Sequence, residues 1–141
     1  MDPNKTSSIL NGSSPEVSEN GSRGAALWLG RLEGLKDLSH GWNGHAAPAP
    51  TAGAIDTARQ FLTALLREGY EPTRLTASAV GGVAVTCRLG DRKVLTEFYN
   101  DGKVHALFAD DATLQLHTRA VEPTVQGFGK VIEEMRAYLN A

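Results

Sequence analysis

The chain has 141 residues, of which 41% are hydrophobic and 21% charged, enough to bury the core of one globular domain without disulfides or metal. Its net charge of -2 offers no basic surplus for a nucleic-acid backbone or an anionic membrane and no strong acidity that would imitate DNA. Cys87 is the only cysteine, so neither an internal disulfide nor a thiolate zinc cage is open to it, and a reducing cytoplasmic setting is expected.

Residues 1 to 23 consist largely of Ser, Asn, Gly and Pro, with Ile9, Leu10 and Val17 as scattered apolar side chains. Such a composition does not offset the entropy of ordering, so a disordered tail is expected, followed by a single α+β domain over 24 to 141. No basic segment followed by an apolar stretch opens the chain, and no apolar run approaches the roughly 20 residues that span a bilayer. From Ala25 to Leu38, Trp28, Leu32 and Leu35 fall at helical spacing, weakened by Gly30 and Gly34. The stretch from Ser39 to Pro50 is a loop by its glycines and prolines. Thr51 then caps a second helix, whose stripe Ile55, Ala58, Leu62 and Leu65 ends at Gly69.

Beyond Gly69 the period changes from 3.6 to 2. Five short strands are expected: Leu75 to Val80, Val83 to Leu89, Val94 to Tyr99, Lys103 to Phe108 and Leu114 to Arg119. Their connections are too short for crossover helices, so the strands form an antiparallel meander of four to five strands, with two to three helices on one face. Val125, Phe128, Ile132, Met135 and Leu139 mark a closing helix between Val121 and Leu139, with Pro123 in its first turn.

Alternation places Val83, Val85, Cys87 and Leu89, then Val94, Thr96 and Phe98, then Val104, Ala106 and Phe108, then Leu114, Leu116 and Thr118 on the core face. A three-residue loop at Asn100-Asp101-Gly102 pairs Phe98 with Val104. By the same parity rule, a four-residue loop after Leu89 sets Thr86 opposite Glu97, and a three-residue loop after Ala109 sets His105 opposite His117. The opposite face then carries the row Thr86, Glu97, His105, His117 among Leu95, Leu107 and Tyr99, a mixed composition found on binding surfaces.

Glu97, His105 and His117 are the residue types of a two-histidine, one-carboxylate metal site, yet three strands about 4.8 Å apart spread them too widely for one ion. His40 and His45 match no zinc spacing. Cys87, on a core strand, reads as a small hydrophobe. No triad, phosphate loop or cofactor motif stands out, and no cofactor is expected.

Trp42 sits in a glycine-flanked loop, where it either folds back to anchor the loop or stands out as a partner anchor. Here Gly41-Trp42-Asn43-Gly44-His45-Ala46-Ala47-Pro48-Ala49-Pro50, with the following helix and Gly81-Gly82-Val83, resembles a group of small, poorly characterised bacterial proteins carrying a Gly-Trp-Asp-Gly-Tyr-Gly-Ala-like segment. The resemblance covers roughly residues 40 to 108, with Asn43 in place of the acidic residue and His45 in place of the aromatic one. It implies a bacterial or mobile-element origin and an α+β fold and supplies no activity. A non-enzymatic interaction factor is therefore expected, such as an accessory, inhibitor or immunity-type protein. Its contact residues would be Trp42, Asn43, His45, Leu95, Tyr99 and Leu107, used on a protein partner or in a homodimer. The rival expectation is a small metal-dependent hydrolase using His40, His45, His105 or His117.

Overall fold

A computed structural model describes the backbone of residues 15–141 and the side chains from Arg23 onward. The elements run α1 (Pro15–Gly34), a short 3-10 turn (Leu35–Asp37), α2 (Ala52–Arg67), β1 (Arg74–Ala77), β2 (Gly82–Leu89), β3 (Arg92–Tyr99), β4 (Val104–Asp110), β5 (Gln115–Val121) and α3 (Val125–Leu139). The five strands form one antiparallel sheet in sequence order. This is an α+β fold.

The helix that carries Trp28 and Leu32 begins at Pro15, well upstream of its apolar stripe, so residues 15–23 of the expected tail have helical backbone. The rest of that expectation lies outside the described residues. Trp28 and Leu32 are buried against α2 and β1, and the Trp28 indole N–H donates to the Glu71 carboxylate at 3.1 Å. Tertiary contact thus holds a helix that two glycines weaken. In α2 the Thr51 hydroxyl accepts from the Ala54 N–H at 3.1 Å, the expected cap, and Ala54, Ile55, Ala58, Phe61, Leu62 and Leu65 are buried along one stripe. α3 starts later than expected. Val121 ends β5, Pro123 lies ahead of the helix, and the Thr124 hydroxyl caps it through the Gly127 N–H at 3.0 Å. Val125, first in the helix rather than on its buried stripe, is 80% exposed.

All three helices lie on one side of the sheet, α2 over β2 and β3, α3 over β3 and β5, and α1 along β1. Beneath them Val83, Val85, Cys87, Val94, Phe98, Val104, Ala106 and Phe108 form the core face together with Leu62 and Ile132, whereas Leu89, expected with them, is 54% exposed at the end of β2, beyond the reach of the helices. Phe98 pairs with Val104, and Gly102 takes φ +92° in the expected three-residue turn.

Two hairpins differ from expectation, with unequal consequences. The β2–β3 turn is the two-residue Gly90-Asp91, so Leu89 pairs with Arg92 and Thr86 faces Leu95 rather than Glu97. That shift of two keeps every side chain on its face. The β4–β5 turn holds four residues, with Asp110 paired to Gln115. The Asp110 carboxylate accepts from the Ala112 and Thr113 N–H groups at 2.9 and 3.4 Å, and Leu114 closes the turn at φ +60°. The shift is odd, and β5 turns over. Leu116, expected in the core, is 66% exposed on the outer side with Thr118 exposed beside it, and Leu114, expected there too, is 85% exposed in the turn. Gln115, His117, Arg119 and Val121 face the helices instead. Apolar side chains turn inward only where a layer lies ready to cover them, and α3 buries only the Val121 end of this edge strand, so little burial energy is at stake in its register.

Candidate interaction surface

No described helix covers the other side of the sheet. Across it, row by row, run Ala84, Glu97, His105 and Ala120, then Thr86, Leu95, Leu107 and Thr118, then Arg88, Lys93, Ala109 and Leu116. Leu95 and Leu107 are direct cross-strand partners and both are half-buried. With Tyr99, Ala84, Ala109 and Leu116 they give the face an apolar middle, while Arg88 and Lys93 border it.

At the Tyr99 end sits a hydrogen-bonded cluster that sequence reasoning did not foresee. The Glu97 carboxylate accepts from the Ser78 hydroxyl at 3.0 Å and from the Tyr99 phenol at 2.9 Å. Ser78 is buried, and its hydroxyl also accepts from the Val80 N–H. Burial and the adjoining carboxylate push the Tyr99 phenol up to about 12, so it stays a neutral donor at physiological pH. His105 lies opposite Glu97 and meets the Tyr99 ring edge-on at 5.5 Å. The register signals Glu97 beside His105, but a bond from Tyr99 to Glu97, two positions back on its own strand, depends on rotamers.

The expected row ending in His117 does not form. That imidazole is on the helix side, stacked on Phe108 at 4.8 Å with rings 2° from parallel, and Tyr138 stands edge-on to both. His40 and His45 belong to the 39–50 loop, so the four histidines occupy three separate places. Among the described residues no group of three or more His, Cys, Asp or Glu side chains is placed to hold a metal ion.

The loop is tied down by its own polar groups. The Trp42 indole N–H donates to the Pro48 carbonyl at 3.1 Å, so the ring folds back and is half-buried. The Asn43 side-chain oxygen accepts from the His45 and Ala47 N–H groups at 2.9 and 3.3 Å. A carboxylate at this position would accept the same two bonds. Asn100 fastens the loop's end to the β3–β4 turn, accepting from the Thr51 N–H and donating to the Ala49 carbonyl at 2.9 and 3.0 Å. The loop is therefore anchored at the Tyr99 end of the sheet, whereas Leu95 and Leu107 lie further along it. His45 is exposed.

Cys87 is buried in the core, and burial pushes its thiol up to about 12. The native protein is expected to resist iodoacetamide at pH 8 and to react fully once denaturant unfolds it; rapid labelling of the native state by mass spectrometry would refute this placement. Comparison with models of protein families, with curated proteins and with solved structures yields no significant match.

Proposed function

We propose that the protein is a non-enzymatic interaction factor that acts by occupying a partner protein with the outer face of its sheet. The observation that carries this reading is the Leu95–Leu107 pair, an apolar cross-strand contact on a face over which no described helix packs. The polar cluster of Ser78, Glu97 and Tyr99 beside it is held by internal bonds, so it would present a fixed carboxylate and phenol to a partner at little entropic cost. The lone buried thiol suits work in the cytoplasm, and the resemblance of residues 40 to 108 suits a bacterial accessory, inhibitor or immunity-type protein. Trp42, Asn43 and His45 would contribute from the rim, with His45 free to contact and the other two shaping the loop. Self-association through the same face would use the same leucines.

Leu95→Arg combined with Leu107→Glu tests the reading. The double variant is expected to keep its circular dichroism spectrum, because neither side chain belongs to the buried core. It should lose, by at least about tenfold in affinity, any protein that the unaltered chain retains stoichiometrically in pull-downs from its host, since about 1.4 kcal/mol suffices for that factor. Undiminished retention by a folded double variant would sink the proposal.

A further inference from the structure

The edge of the sheet carries a second surface, separate from the outer face. The backbone alternation along the ladder follows from one bond. The Tyr99 N–H donates to the Lys103 carbonyl, so His105, Leu107 and Ala109 of β4 direct their backbone groups to β3, and Val104, Ala106, Phe108 and Asp110 direct theirs to β5. Their β5 partners are Val121, Arg119, His117 and Gln115. The N–H and C=O groups of Leu116, Thr118 and Ala120 therefore point away from the sheet, where the Ala120 carbonyl accepts from the Arg119 guanidinium of its own strand at 3.1 Å, and no described element lies along that edge. Natural edges are usually blunted by lysine, proline, a bulge or an inward charge. Gln115–Val121 has no proline or lysine and no break in its register, and its one charge, Arg119, points inward but is paired with Glu134 of α3, so it sets no uncompensated charge against a second copy.

We infer that β5 is a self-pairing edge, and that a second copy of this chain adds its own β5 antiparallel to it. A two-fold axis normal to the sheet keeps like faces together, which requires residues of equal parity to meet. Centring the axis on Thr118 is the register that uses all three outward-directed residues, the Ala120 carbonyl exchanging its Arg119 bond for the Leu116 N–H of the second copy. Thr118 pairs with its own copy, and Leu116 pairs with Ala120 on either side. The two exposed Leu116 side chains then cover the two Ala120 methyl groups on the outer face. On the helix side His117 meets Arg119, whose guanidinium is already neutralised by Glu134. The product is a continuous ten-stranded sheet with all helices on one side and the two outer faces merged, since each copy contributes a five-stranded sheet. A second copy is the fitting occupant because the strand is complementary to itself in both hydrogen bonding and side-chain size. An extended segment of another protein would meet the same donors without that match.

Light scattering on the full chain tests this, with an expected mass twice the 15.0 kDa of one chain. Thr118→Pro removes the central outward N–H and no β4 bond, a placement that edge strands tolerate, and is expected to halve the mass without altering circular dichroism. Should that variant unfold, Thr118→Lys keeps the backbone donor, sets like charges face to face across the axis, and is expected to give the single-chain mass. Thr118→Cys should form a covalent dimer on oxidation, because directly hydrogen-bonded pairs lie about 5.5 Å apart at Cα, within disulfide reach. Leu95→Cys should not. A single-chain mass for the unaltered protein, a folded Thr118 variant that remains dimeric, or cross-linking at Leu95 in place of Thr118 would each overturn the edge assignment. The last outcome would move association to the outer face.

Discussion

Phe98→Ala is expected to cost about 3–5 kcal/mol, the usual range for deleting a buried aromatic ring. Phe98 is 1% exposed and joins three elements at once. Its ring lies 5.3 Å from Phe61 on α2 and 6.2 Å from Phe128 on α3, while Phe61 and Phe128 are themselves 5.7 Å apart and nearly perpendicular. The three rings form a closed triangle between the sheet and both covering helices, so neither helix can settle into the vacated space without leaving the other aromatic partner. Against a total stability of about 5–15 kcal/mol for a domain of this kind, the loss leaves a marginal fold. Urea denaturation checks it, and a midpoint within experimental error of the unaltered protein would contradict the packing.

Gly82→Ala is expected to be more damaging still, above about 4–5 kcal/mol, because two independent mechanisms act at one position. Gly82 has φ +126°, a conformation that side-chain-bearing residues rarely adopt, and a β-carbon built there would lie 2.0 Å from the Phe98 carbonyl oxygen. That oxygen is backbone of the central strand, which cannot yield without breaking the β2–β3 ladder at the level of the aromatic triangle. The variant should accumulate as insoluble protein or fail to show a cooperative thermal transition. Gly30→Ala is the control. Nothing lies within 4 Å of a β-carbon at that helical site, and the change is expected to stabilise by roughly 0.5–1 kcal/mol. A soluble Gly82→Ala protein melting cooperatively near the parent temperature would show that β2 enters the sheet by a different path.

The element order, the meander and the face that the helices cover were legible in the residues alone, because each rests on a pattern with a large burial energy behind it. Phe98, Val104 and Ala106 lie in the middle of the sheet, where a one-residue slip would expose every apolar side chain, so periodicity alone fixed their direction. Leu95, Leu107 and Tyr99 were legible on the opposite face for the same reason: they are the complement of a secure core set.

Where burial does not discriminate, the outcome depends on contacts that exist only in the folded chain. At β2–β3 either turn length satisfied the core, and the choice between Thr86 and Ala84 as the partner of Glu97 fell to local turn geometry. At β5 the side chains that face the helices are polar except at Val121, and the turn chosen by the Asp110 carboxylate and Leu114 set the strand's parity against its apolar pattern. Two bonds to a turn backbone, each worth about 1 kcal/mol, outweigh a hydrophobic pattern when no partner layer exists to reward it. The same reason separates His117 from His105 and leaves Leu116 exposed at the free edge. The fastening of the Trp42 loop by Asn100 and of Glu97 by Ser78 joins residues far apart in the chain, and those pairings become visible only once the sheet has brought its turns together.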